Sequence, residues 1–545
     1  MLILTILMVL GIPARTAAGG TLHIDMADGL GAATHRYSGF LYSWWTGKAP
    51  PAWGLKDLKP QTWRVGYWGT WDSEYPSMVG AGVQQVQIIV SDAYRNRGAT
   101  LINGHSHDPS WESKSFVDIA AEIAAMVKSK GWSRAAFDIE NEPDVFRADD
   151  WSAGPPAWYR DEYLPSVRKI REILPGAVIV GPSYFSYKEG NLRKFLAQAR
   201  ADGVLPSIFS FHFLEWNPRI LQKTADAARA MMAGLGLDLP ISINEVFEPG
   251  HCGFVQEAVL YLAQAERARL DSMMHASWDD MGDGSTGDNP CFDCLLTIPG
   301  QQTRPAYFVY AFYASMSGKM VGLTPADSGS GASGFDGLAS SDPASKTARV
   351  LFGGDSGSAR LVFSNLGSAS YLGDAVHVRV DTVSSGGNGH APISGPGKQF
   401  EGDLPVASNA LTVDLDNLAP DAAYLVTLTP VNAPPPSTIP DPGTNEPSVN
   451  GGSTAPPSPS PSTPTEGNAV PANNAAGDSP RDTAQPAPPE ASGQAAGPAD
   501  ADLRFVGGCA QAPAGSPPSD PLCAALALIA LVWTARRRRR RKPGG

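Results

Sequence analysis

The sequence is short of several features that would point to other kinds of protein. Basic residues are outnumbered, 42 Lys and Arg against 54 Asp and Glu, for a net charge of -12. That balance argues against a general nucleic-acid binder. The one strong basic run, Arg536 to Arg541 with Lys542, lies at the far C-terminus. There is no P-loop, no Gly-rich dinucleotide turn and no quartet of metal ligands, so no cofactor and no metal is expected. Five cysteines allow few bridges: Cys252, Cys291 and Cys294 lie in the globular part, Cys509 and Cys523 in the tail. Cys291-x-x-Cys294 alone is not a zinc site, and in an exported chain the first three supply one disulfide. No apolar run reaches the roughly 20 residues of a comfortable membrane span. The tail stretch Leu522–Ala535 has only 14.

A chain of 545 residues is too long for one core and implies two or three domains. The N-terminus, MLILTILMVLGIPARTAAGG, is an apolar run ending in small residues. It reads as a secretory signal peptide cleaved near Ala18, with a buried N-terminal strand as the alternative.

From about residue 37 to 315, short apolar runs alternate with amphipathic stretches, the pattern of repeated β-α units. Eight strands are predicted: Gly39–Trp45, Thr62–Tyr67, Ala99–Gly104, Ala135–Asn141, Ala177–Tyr184, Ile208–Phe213, Pro240–Val246 and Ser272–Trp278. Phe116–Lys130, Tyr159–Leu174 and Ala225–Leu235 read as helices; Val83–Arg97 is ambiguous, since its β-branched run QVQIIV also fits a strand, and it is read as a helix because Val83, Val86, Ile89, Val90 and Tyr94 share a face. Eight units predict a (β/α)8 TIM barrel over residues 19–318, with the site at the C-terminal ends of its strands. Those ends carry Arg64, His105, Glu142, Tyr184, His212, Glu245 and Trp278.

Over 319–431, segments such as ARVLFGG, AVHVRVDTV and AAYLVTLTP alternate with Gly, Asp, Asn and Ser turns. They predict an antiparallel β-sandwich, an accessory domain packed against the barrel. Residues 432–505 are Pro, Ser, Thr, Ala and Gly-rich with almost no aromatics, a composition that cannot bury enough surface to fold and reads as a linker. Residues 506–545 hold a Gly-Cys pair, a short apolar helix and the arginines, an anchor or sorting segment whose charges stay cytoplasmic.

The sharpest local signals are two strand ends. Phe137-Asp-Ile-Glu-Asn-Glu-Pro143 runs a hydrophobic strand into Asn141-Glu142-Pro143, and the proline, lacking an N–H, ends the ladder. Pro240-Ile-Ser-Ile-Asn-Glu-Val-Phe247 places Glu245 near the end of a second strand. Cleaving a glycosidic bond takes a carboxylic acid to protonate the leaving oxygen and a carboxylate to stabilise the oxocarbenium-like centre. Glu248 competes with Glu245 in the same loop, and Asp138 and Glu140 read as structural ion partners. His105 and His107 are candidates to line the substrate site. Trp44, Trp45, Trp68, Trp71, Trp111, Trp216 and Trp278 fall at or beyond strand ends, where aromatic faces suit the C–H face of a sugar.

This pattern resembles clan A of the glycoside hydrolases, retaining (β/α)8 enzymes with an Asn-Glu pair on strand four and a Glu on strand seven. The stretch Thr303-Arg-Pro-Ala-Tyr-Phe, followed by a helix and a β domain, looks most like family 39. The resemblance implies Glu142 as acid/base and Glu245 as nucleophile. It implies Asn141 on the sugar 2-hydroxyl, Arg64 on the nucleophile, His212 at strand six and the Trp278 platform at strand eight, with Tyr184 and His105 as further substrate contacts. The implied partner is a carbohydrate, not a nucleic acid. The tail resembles the myxobacterial C-terminal sorting tag, which implies processing at Cys509, contact with membrane or sorting machinery, and a place in the cell envelope.

Overall fold

The computed structural model describes residues 20–42, 50–66, 71–95, 101–102, 105–106, 111–215, 217–248, 250–276, 294–297, 302–325 and 334–433. The signal-peptide, linker and sorting-tail expectations lie outside these residues. Among the described residues, no helix is long and apolar enough to cross a membrane.

Eight parallel strands close into a barrel: Gly39–Leu41, Thr62–Gly66, Gln85–Ile89, Ala135–Asp138, Val178–Tyr184, Ile208–Phe213, Ile241–Val246 and Ser272–His275. Closure depends on a small residue at the seam. A Cβ on Gly39 would come within 2.2 Å of the Met273 carbonyl oxygen on the eighth strand. The helices follow local rules. Phe116–Lys130 starts on a capping box, in which the Asp118 N–H donates to Ser115 Oγ at 3.2 Å and the Ser115 N–H to the Asp118 carboxylate at 3.3 Å. It ends on Gly131 at φ 65°.

The third barrel strand differs from expectation. QVQII is a strand, and the helix begins only at Val90 and runs to Arg95. Val86 through Ile89 are buried without interruption, as in a strand covered on both faces. Such a run has no period to distinguish it from a buried helix. The stretch expected as the third strand instead supplies an antiparallel hairpin, Leu101–Ile102 with His105–Ser106, outside the barrel. His105 is therefore not at a barrel strand end.

The second β region is one nine-stranded sheet, antiparallel apart from one pair. Its strand Gly20–Ala32 comes from before the barrel. It lies between Lys319–Pro325, which it pairs antiparallel, and Gly357–Ser364, which it pairs parallel. Alternate residues Leu22, Ile24 and Met26 join Val376, Val378, Val380, Leu411, Val413 and Leu415 in a separate core. The barrel is thus inserted between the first and second strands of this sheet in chain order.

Candidate active site

The site is built on Arg64, in the second barrel strand. Its side chain is fully buried, and all three guanidinium nitrogens donate: Nε to Asp138 at 2.7 Å, one terminal nitrogen to Glu245 at 2.5 Å, the other to Asn141 at 2.8 Å. A planar fork of fixed geometry thereby ties strand two to the ends of strands four and seven. Asp138 also accepts from Ser183 Oγ at 2.7 Å and from Asn244 Nδ2 at 3.0 Å, and Asn244 donates to Ser183 at 2.8 Å. The strand-four carboxylate read as an ion partner is one, and it organises four strands.

Successive side chains of a regular strand face opposite sides, yet Asn244 and Glu245 both reach this network. The pairing of their strand with both neighbours shifts register between Ile243 and Val246. An irregularity of this kind re-aims a side chain. Strand four achieves the same by ending. Its regular part stops at Asp138, and Glu142 takes left-handed backbone at φ 50°, with Pro143 opening a short helix behind it. The Glu142 N–H donates to the Ser183 carbonyl at 2.9 Å.

Glu142 and Glu245 meet across the mouth. One carboxylate oxygen of each, together with a ring nitrogen of His212, all lie within 4.8 Å of one another. His212 Nδ1 is 3.1 Å from Glu142 Oε1, within hydrogen-bond reach, and 3.7 Å from Glu245 Oε2. Among the described residues, no group bonds Glu142 Oε2 or His212 Nε2. Burial, and then the charge of Glu245, push Glu142 well above the ordinary carboxylate range. Burial pushes Glu245 up to about 7, against the pull of Arg64. Burial drives His212 well below the usual histidine range, so its ring is neutral. The two carboxyls thus differ in one respect: Glu245 bonds a guanidinium, and Glu142 bonds only a neutral imidazole.

Not every expected residue belongs here. Tyr184 is buried and donates to Asp149 at 2.7 Å within an aromatic cluster that includes Trp151 and Trp158. It follows a register shift between Pro182 and Tyr184 in the pairing of strands five and six. Trp111 is a core residue. Glu248 pairs with His251 on the surface. Trp44, Trp45, Trp68, Trp216, Trp278 and His107 lie outside the described residues, as do the side chains of Trp71 and His105. Glu140 is buried, and no cation among the described residues lies within ion-pair distance of it, although the charges of Arg147 and Arg95 are felt there. Burial and the nearby Glu162 push it well above the usual range. Ser183, Asn244, Tyr42 and Asp92 are site residues that sequence reasoning missed. Only Asn244, beside Glu245 in the strand-seven motif, carried a local signal.

One disulfide, Cys252 to Cys294, links the loop after strand seven to the segment after strand eight. Cys291 is outside the described residues. His275 shares a ligand-sized cluster with this pair, but both sulfurs are consumed by the bridge.

The architecture has close parallels among solved structures. A protein of Neocallimastix frontalis superposes with a TM-score of 0.60 at 22% identity, over 76% of this chain and 100% of that one. The GH39 enzyme from Xanthomonas axonopodis pv. citri gives 0.55 at 13% identity, over 77% and 99%. A monomeric beta-xylosidase from Caulobacter crescentus CB15 gives 0.53 at 14%, over 75% and 99%. No family model and no curated protein matches the sequence. At these identities the likeness shows the fold, a barrel with its second sheet. That two-domain fold is the one seen in the GH39 enzyme.

Proposed function

We propose that the chain is a retaining glycoside hydrolase cleaving β-glycosidic bonds in an oligo- or polysaccharide. The observation that carries this reading is the Glu142–Glu245 pair, with carboxylate oxygens within 4.8 Å and only Glu245 bonded to Arg64. Retention needs two carboxyls about 5–5.5 Å apart, close enough for one to bond the anomeric carbon directly. The arginine favours the ionised form of Glu245, the nucleophile. Glu142, buried and facing a neutral ring, holds its proton and serves as the acid.

In the first step Glu245 attacks the anomeric carbon while Glu142 protonates the departing oxygen, leaving a glycosyl ester on Glu245. In the second, Glu142 takes a proton from water, the water oxygen bonds the anomeric carbon, and the ester bond to Glu245 breaks. Asn141 accepts from Arg64 through its oxygen, which orients its amide nitrogen to donate to the sugar 2-hydroxyl. The two steps need no cofactor. The Cys252–Cys294 bridge supports the expectation of an exported protein.

The test is turnover of aryl β-glycosides by the wild type, Glu142→Gln and Glu245→Gln, with the anomer of the first product read by NMR. Loss of at least about a hundredfold on a poor leaving group in each variant, and a β product, are expected. Activity surviving both changes, or an inverted product, overturns the reading. A chain that binds sugars but never turns them over would be a carbohydrate-binding protein on a hydrolase scaffold.

A further inference from the structure

A third carboxylate stands at the barrel mouth. The helix Val90–Arg95 follows the third strand without a linker, which sets Asp92 just beyond that strand's C-terminal end. Tyr42 immediately follows the first strand, at φ 55°. Its N–H donates to the Arg64 carbonyl at 2.8 Å, and its hydroxyl donates to Asp92 Oδ2 at 3.0 Å. Tyr42 packs with Leu41, Ile89 and Ala276, at the ends of strands one, three and eight. The Tyr42–Asp92 contact therefore bridges strands one and three beside the arginine that holds Glu245.

Asp92 is only 7% exposed, yet it has no ion pair, and no group among the described residues bonds its Oδ1. A nearly buried carboxylate with one neutral hydrogen bond is a poor stabilising device, since desolvation costs more than that bond returns. Its placement makes sense if a ligand supplies the missing donors. The charge of Asp92 is felt at Glu245, where it works against ionisation.

Two of the cations around this compartment, Arg64 and Lys188, are paired with carboxylates, and the charge of the third, Arg95, is felt at Asp92. Arg64 is taken by Asp138, Glu245 and Asn141. Arg95 donates to the Asn141 carbonyl at 2.7 Å and lies over the Phe146 ring. Lys188 pairs with Asp144 at 3.0 Å. Among the described residues, the carboxylates Asp92, Asp138 and Glu245 stand against the two cations whose charge reaches Asp92, Arg95 and Arg64, which leaves an excess of negative charge at the mouth.

We propose that Asp92, oriented by Tyr42, is a specificity-determining residue that accepts hydroxyl hydrogens of the sugar beside Glu245, so that the site takes uncharged sugars and rejects uronic acids. The inference rests on the glycosidase reading and adds the substrate's charge class. A uronate would bring a carboxylate against Asp92 in a site of low dielectric, where like charges repel strongly. A neutral sugar satisfies Asp92 with its own hydroxyls, and a site built to bond a hydroxyl discriminates sharply against one that cannot supply it.

The experiment uses matched aryl β-glycosides, glucoside with glucuronide and galactoside with galacturonide, on the full chain. The wild type is expected to favour the neutral member by about a hundredfold or more in kcat/KM. Asp92→Asn should lose about tenfold on the neutral member, mainly in KM, and shrink the neutral-to-uronic ratio by about tenfold. Tyr42→Phe, which leaves the carboxylate in place, should lower neutral turnover while keeping the rejection of uronides. A wild type that hydrolyses uronides as readily, or an unchanged ratio in Asp92→Asn with a native melting temperature, overturns the proposal. Should Asp92→Asn fail to fold, the wild-type ratio and Tyr42→Phe decide it. If nothing is hydrolysed, the glycosidase reading fails. Binding of the same pairs as methyl glycosides then tests Asp92 alone: equal binding overturns it, and preference for the neutral members upholds it.

Discussion

Arg64 and Glu245 form a fully buried ion pair, 2.5 Å from nitrogen to oxygen. The same arginine holds Asp138 at 2.7 Å, so its removal strands two carboxylates away from water. Breaking a buried pair from one side costs about 3–5 kcal/mol. Arg64→Met should lower unfolding free energy by about that amount in urea titrations at neutral pH. Loss of less than about 1 kcal/mol would mean that water reaches the site in the folded chain.

The pH dependence of catalysis should follow from the same pair. Glu245 sits at about 7 and works ionised, so kcat/KM should fall as pH drops below about 7. Burial holds Glu142 well above the usual carboxylate range; in the proposed mechanism it works protonated, so its ionisation sets the alkaline limb. Because the two groups interact, the limbs report the pair rather than either residue. Arg64→Lys should move the acid limb to higher pH, since a less well-placed cation favours ionised Glu245 less. A limb that stays in place in that variant would exclude Glu245 as its source.

A stability effect remote from the site is also expected. Glu266 accepts from the Tyr313 hydroxyl at 2.7 Å, and burial pushes it up to about 7. A carboxyl whose folded pKa is raised stabilises the fold while both states are protonated. That contribution is lost as pH climbs from the ordinary value, about 4.5, through about 7, because only the unfolded chain ionises freely. Glu266→Gln has nothing to ionise. Relative to wild type, it should gain roughly 3 kcal/mol between pH 4 and pH 8. Denaturant titrations at the two pH values measure this, and activity should be unaffected.

The bridge between Cys252 and Cys294 closes a 42-residue separation. Loop entropy alone assigns such a closure about 2–4 kcal/mol. Reduction should lower the melting temperature by several degrees and reduce turnover, because the loops after strands seven and eight are tied through it. Unchanged melting under dithiothreitol would show that the link adds nothing to the folded chain.

The ends of strands four and seven were legible because two signals coincide there. A hydrophobic run carries the strand, and Pro143 or the polar Asn244-Glu245 pair marks its end. The third strand was not, because QVQII is buried on both faces and any period fits it. Asp92 was hidden by the same error: a helix drawn from Val83 places it on a polar face instead of at a strand end. Tyr184 presents the converse case. Its strand was correct, but the register shift before it and the bond of its hydroxyl to Asp149 are marked by no composition. The partners of Asp138 lie as far as 106 positions from it in the chain, a separation that only tertiary packing joins.

The strand Gly20–Ala32 has a consequence for synthesis. It emerges from the ribosome before the barrel, yet both its neighbours, Lys319–Pro325 and Gly357–Ser364, follow the barrel. During translation its Leu22, Ile24 and Met26 face must wait, unpaired, for about 300 residues, and a waiting apolar strand is an aggregation hazard. Truncation after the barrel would make that wait permanent. The barrel is therefore expected to be insoluble when expressed without the second sheet, unless the N-terminal strand is removed with it.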